Sequence, residues 1–79
     1  MKEDIAGTLV FDASVLIDLL MLSNRGKFIQ KALLDEIIDA HTTELALIET
    51  EYILCRKIGW GHAKTRVEKL LASGYINII

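Results

Sequence analysis

Two acids have the type and setting to do chemistry. Asp12 closes a short apolar, β-prone run, Thr8-Leu9-Val10-Phe11. A carboxylate at the C-terminal end of a buried strand stands where open α/β sheets bind ligands, and the amide groups of the next helix point at the same crevice. It is costly there unless it meets a cation, a hydrogen-bond donor or a helix end. Two roles are therefore open to Asp12: ligand for a cation, or cap on the helix beginning near Ser14. Glu49 is the second acid. At about 100° per residue, Leu45, Ile48, Tyr52 and Cys55 form an apolar arc that predicts the packed side of a helix, with Glu49 at its margin, about 40° from Leu45. Arg56 falls between Leu45 and Glu49 on the same wheel. One reading is a half-buried Glu49–Arg56 ion pair with a purely structural task. The other joins Glu49 to Asp12 as oxygen ligands for Mg²⁺ or Mn²⁺, hard ions that take carboxylates and waters from few protein ligands.

The remaining polar residues offer less. Asp18, Asp35, Glu36, Asp39 and Glu51 read as acids on solvated helix faces. His41 and His62 have no ligand spacing with each other or with Cys55, which argues against zinc. Gly59-Trp60-Gly61 lacks the length and the lysine of a phosphate-binding loop. No Ser–His–Asp arrangement can be read from the chain. A phosphotransferase using a strand-end Asp as nucleophile wants a second Asp two residues on, where this chain has Ser14.

The elements that must position these residues follow from periodicity and caps. Residues 8–13 read as a buried strand ending in the acid. Ser14 is expected to cap a helix over residues 14–22 that is apolar on nearly all sides and so has to be buried or partnered. Ser23-Asn24-Arg25-Gly26 is a loop by composition. A second helix is predicted over about 27–39, with Phe28, Ile29, Ala32, Leu33, Ile37 and Ile38 as its apolar face. His41-Thr42-Thr43 breaks that pattern; either threonine can cap a third helix, with Glu44 suiting its dipole, that runs to about Ile58 and stops at Gly59. Trp60-Gly61 reads as a connector. A fourth helix over about 62–72 puts Ala63, Val67, Leu70 and Leu71 on one side and its charges on the other. Gly74 is a natural stop, and residues 75–79 read as a second strand. Parallel pairing of the two strands through the helical crossover is the simplest topology.

Size and composition set the bounds. The chain has 79 residues, 52% hydrophobic and 25% charged, enough for one small domain and too apolar for disorder. No apolar run reaches the roughly 18–20 residues of a membrane span. The start, Met1-Lys2-Glu3-Asp4, carries both charge signs and does not resemble a secretory signal. Cys55 is the single cysteine, and a reducing cytoplasm is the expected compartment. The net charge of -2 hides an asymmetry: the balance is -6 up to Cys55 and +4 from Arg56 onward, where Arg56, Lys57, Lys64, Arg66 and Lys69 outweigh Glu68. An acid cluster beside a phosphate-binding surface would give that distribution, and so would a solvated basic helix face. Parallel strands are normally buried on both faces within larger sheets. Two strands ending in exposed Asn77-Ile78-Ile79 therefore lead to the expectation that residues 1–79 are the front part of a larger domain, or that another copy supplies the missing neighbours.

VFDASVLIDLL, then TTELALIETEYILCRKIG, then a basic helix leading to SGYINII, resemble the first half of a PIN domain. The nearest likeness is to archaeal and bacterial toxin ribonucleases of the VapC type. The most specific parts are Asp12-Ala13-Ser14 and Glu49 followed by Leu54 and Arg56. The resemblance implies a PIN-like three-layer α/β/α fold with a parallel sheet, here reduced to about two strands and four helices. It implies a metal-dependent endoribonuclease of a toxin–antitoxin pair, using Mg²⁺ or Mn²⁺, with RNA as substrate, an antitoxin protein as partner and a homodimer as assembly. Asp12 and Glu49 match the family's first two metal-binding acids, Ser14 matches the small polar residue that orients the first, and Lys64, Arg66 and Lys69 are candidate phosphate contacts. The family's later acids come from segments after the second strand, so little nuclease activity is expected of these 79 residues alone. The alternative is a non-catalytic PIN-like module that dimerises through its apolar helices.

Overall fold

A computed structural model of the chain describes residues 8–79. The charged start, Met1 to Asp4, lies outside the described residues. The elements in chain order are β1 (Thr8–Phe11), α1 (Ala13–Met21), α2 (Asn24–Leu34), β2 (Asp39–Thr42), α3 (Glu44–Ile58), α4 (Trp60–Ser73) and β3 (Ile76–Ile78). The fold is α/β, with a parallel three-stranded sheet in the order β1-β2-β3. No helix among the described residues is long and apolar enough to cross a membrane.

The sheet has one strand more than the sequence led us to expect. Residues 39–42, assigned above to the end of a helix and a break, form the central strand, and β1 and β3 pair with it and not with each other. The second helix stops at Leu34, and Glu36 turns the chain at φ 57°. The sequence signal was the β-branched pair Ile37-Ile38 followed by period-2 alternation, in which Ala40 and Thr42 are buried while Asp39 is exposed. Asp35 and Glu36 therefore lie in a turn and Asp39 on a strand, where a continuous helix had been predicted.

Burial assigns the helices to one face of the sheet. The register aligns Leu9 and Phe11 with Ala40 and Thr42, and these with Ile76 and Ile78. Phe11, Ala40, Thr42 and Ile76 are buried, with Leu16 and Leu19 of α1, Leu33 of α2, Ala46, Leu47 and Leu54 of α3, and Ala63 and Val67 of α4. The opposite face, carrying Thr8, Val10, Asp39 and Asn77, is exposed except at the half-buried His41.

The apolar face of α3 is rotated from the predicted one. Leu45, Ile48 and Tyr52 point outward, and the core side is Ala46, Leu47, Thr50 and Leu54. This helix has two apolar stripes, and packing chose the one with small residues, which let α1 and α4 approach closely. The cost of burying Thr50 is offset because its hydroxyl donates to the Ala46 carbonyl at 2.7 Å.

The end of α3 falls where Gly59 predicts, but Trp60 and Gly61 are helical and not a connector. Gly59 at φ 90° makes the whole turn, so α4 begins at once. The corner between α1 and α2 is equally tight. Ser23 caps α2 by accepting from the Gly26 amide, and its hydroxyl donates to the Asp18 carboxylate at 3.0 Å. Arg25 Nε donates to the other oxygen of Asp18 at 2.6 Å. Asp18, expected to be solvated, is thus the half-buried anchor of this corner.

Candidate active site

The parallel strands bring their C-terminal ends to one edge of the sheet, and the candidate site lies there. Asp12 follows β1 directly and caps α1: the Val15 amide donates to its Oδ1 at 3.1 Å. Ser14, predicted as the cap, sits instead in the first turn, and its hydroxyl donates to the same Oδ1 at 2.8 Å. Both bonds fall on Oδ1. The Ser14 hydroxyl first, and then the Val15 amide, hold the Asp12 carboxyl below its ordinary value. Capping and ligation are therefore compatible, since one oxygen is held by the helix start and the carboxylate stays ionised.

The strand missed in the sequence supplies the other wall. Thr42 Oγ1, fully buried, donates to the Phe11 carbonyl at 2.9 Å, locking β2 to the residue before Asp12. Thr43 follows and caps α3 by accepting from the Ala46 amide at 3.1 Å. That cap sets the direction of α3, and Glu49 lies on the helix's exposed side. Asp12 and Glu49 line the same shallow cleft of about 270 Å³, together with Val10, Phe11, Ala13, Thr43, Leu45 and Ala46. Two acids distant in the chain are thus brought to one depression.

Other predicted groups lie elsewhere. Arg56 makes no ion pair with Glu49; its guanidinium bonds the Tyr52 hydroxyl at 3.4 Å and stacks 5.8 Å from that ring's centroid. Arg66 donates to the Leu20 carbonyl at 3.0 Å. Asp12 and Arg66 therefore mark opposite ends of α1, roughly 12 Å apart along its axis. Lys69 lines a separate depression with Arg66, Leu22, Gln30 and Tyr75. Lys64 lies 4.0 Å from Glu68 and over the Trp60 ring. His41 Nε2 is 3.2 Å from the Asp39 carboxylate.

Among the described residues, no group of three or more His, Cys, Asp or Glu side chains could hold a metal ion. Two carboxylates still suit Mg²⁺, which is commonly held by one or two carboxylates with waters and substrate phosphates completing the octahedron. The donor chemistry of the cleft, all oxygen with one acid held ionised, fits such an ion.

No curated protein and no solved structure matches the chain significantly. A family model does: that of the PIN domain matches residues 9–79, from within β1 through the acidic cleft to the last strand. The chain belongs to the PIN domain family.

Proposed function

We propose that this PIN domain is a metal-dependent endoribonuclease, the toxin of a VapC-type toxin–antitoxin pair acting in the cytoplasm, with Asp12 and Glu49 as its metal-binding acids. PIN domains are in general nucleases acting on RNA, and they generally use divalent metal ions. The observation that carries the assignment to this site is that Asp12 and Glu49 line one cleft at the C-terminal edge of the sheet.

The division of labour follows from the contacts. Ser14 orients Asp12 and keeps it charged. Glu49, exposed on the second turn of α3, supplies the second carboxylate from the opposite wall. Val10, Phe11, Ala13 and Leu45 line the cleft beside the two acids. A divalent ion bound there supplies Lewis-acid stabilisation of the phosphate charge and a water of lowered pKa. RNA and an antitoxin protein are the expected partners, and Lys64, Arg66 and Lys69 the candidate phosphate contacts away from the cleft. A non-catalytic interaction module is the second reading, favoured by the exposed apolar side chains Phe28, Leu45 and Ile48.

Titration with Mn²⁺, read by electron paramagnetic resonance, and Mn²⁺-dependent cleavage of single-stranded RNA test the proposal together. Both are expected to fail in Asp12→Asn and in Glu49→Gln. Asn is as good a helix cap as Asp, so loss of binding in a variant that still melts normally belongs to the charge and not to the fold. Metal binding that survives both substitutions refutes the site. A parent chain that binds no Mn²⁺ favours the interaction module.

A further inference from the structure

The corner where α3 meets α4 carries two exposed aromatic rings among unbalanced cations. Tyr52 is 63% exposed and Trp60 58%, and between residues 52 and 67 no other large apolar side chain is exposed. The same interval holds Arg56, Lys57, Lys64 and Arg66 and no Asp or Glu. Each ring has a cation over it. The Arg56 guanidinium stands 5.8 Å from the Tyr52 centroid, and the Lys64 ammonium 5.8 Å from that of Trp60. Because Gly59 turns the chain in one residue, the end of α3 with Arg56 and Lys57 and the start of α4 with Trp60 share one corner.

This combination selects the ligand. A protein interface is built on a continuous apolar centre, whereas the exposed chain neighbours of Trp60 are Lys57, Gly59, Gly61, His62 and Lys64. Flat rings beside cations suit unpaired nucleotides. Every base has a face to stack on an aromatic side chain, and every phosphate a charge to offer a lysine or arginine. A duplex keeps its base faces stacked on one another and out of reach. Glu68 lies 4.0 Å from Lys64 with both side chains exposed, a weak pair that a phosphate can replace. Arg66 and Lys69 belong elsewhere: Arg66 donates to the Leu20 carbonyl, and Lys69 lines the depression beside it. The corner also leads to the cleft. On the α3 wheel Glu49, Tyr52 and Arg56 fall within about 60°, and Tyr52 stands about 4.5 Å along the axis from Glu49. A strand stacked at the corner can therefore run along α3 to the two acids.

We propose that the α3–α4 corner holds single-stranded RNA, with Trp60 and Tyr52 as platforms for unpaired bases and Arg56, Lys57 and Lys64 as phosphate contacts, and that it leads the strand along α3 to the cleft of Asp12 and Glu49. The proposal rests on the ribonuclease reading for its ligand and adds to it a surface that selects unpaired stretches without the metal.

Trp60 is the single tryptophan, so its fluorescence reports on this surface directly. The test is titration of the full chain, in EDTA, with an oligouridylate of about 12 nucleotides, within the usual size of such sites. Quenching is expected, and an RNA duplex at the same phosphate concentration should quench much less. By anisotropy of the labelled oligouridylate, Trp60→Ala should weaken binding about tenfold, the usual effect of losing one stacked base, and Trp60→Phe should recover most of it. Arg56→Gln should lower the slope of log affinity against log salt by about 0.7, the loss of one phosphate contact. Phe28→Ala, at the exposed apolar groove beside β1, should bind as the parent does. Circular dichroism confirms that each variant folds. Absence of quenching, equal quenching by the duplex, or unchanged affinity in Trp60→Ala overturns the proposal. EDTA takes the metal out of the measurement, so a failed cleft leaves this binding intact, and a failed stacking surface leaves Mn²⁺ binding intact.

Discussion

The α1–α2 corner allows a sharp test, because Gly26 and Gly61 predict opposite signs for the same chemical change. A Cβ added at Gly26 would fall 3.0 Å from the Leu19 nitrogen, 2.5 Å from the Asp18 carbonyl carbon and closer still to its oxygen. Those atoms are backbone and cannot rotate away. Relief requires α2 to move off α1, and that motion pulls on the Ser23–Gly26 cap and on the Asp18–Ser23 and Asp18–Arg25 bonds. Overpacking of this kind costs about 1–3 kcal/mol, and losing a cap adds about 1 kcal/mol. We expect Gly26→Ala to lose roughly 2–4 kcal/mol, out of about 4–12 kcal/mol for a domain of this size. At about 4–8 °C per kcal/mol, the melting temperature should fall by at least roughly 8 °C. At Gly61, in the first turn of α4, the same added Cβ meets nothing within 4 Å. Gly61→Ala should therefore stabilise the fold by about 0.4–1 kcal/mol, by restricting the unfolded chain. Thermal melts of the two variants beside the parent, followed by circular dichroism, decide the matter. A Gly26→Ala protein that melts within about 2 °C of the parent, well below the shift expected for such overpacking, would refute the close approach of α1 and α2.

Further tests concern the site and the sheet. Ser14→Ala removes the larger cause of the lowered Asp12 pKa, so the carboxyl should titrate at higher pH, as followed by ¹³C NMR of its side chain. Because that pKa is lowered on folding, the stabilisation from Asp12 is present above its unfolded value and lost as pH falls through its folded value. In Ser14→Ala the loss should be smaller and complete at a higher pH; an unchanged acid limb would exclude the hydroxyl contact. Thr42→Val keeps the shape of a fully buried side chain but strips the donor from the Phe11 carbonyl; urea unfolding should show a loss of about 1–2 kcal/mol with an unchanged m-value. Asp12→Ala should lower the melting temperature through the lost cap, whereas Asp12→Asn should leave it nearly unchanged, and equal losses would deny the capping geometry.

Much of this molecule is legible in local chemistry. The strand-end position of Asp12, the cap at Thr43, the stop at Gly59 and the strand after Gly74 depend on residues close in the chain, and the structure has each. Three features were decided by tertiary contacts. The central strand β2 is four residues long, its alternation too brief to outweigh the helical pattern before it, and it exists because β1 and β3 bond it on both sides. Helix α3 has two apolar stripes, and no wheel can say which is buried; close packing against α1 and α4 selects the small-residue side and turns Leu45, Ile48 and Tyr52 outward. Arg56 and Glu49 are neighbours on that wheel but stand two turns, about 10.5 Å, apart along the axis, and the guanidinium settles on Tyr52, one turn away. The sequence by itself determines which side chains are acids, caps and breakers, since those properties are intrinsic to a residue and its near neighbours. Which surface each helix buries, and hence that Asp12 and Glu49 share a cleft, is settled only when the sheet and all four helices pack at once.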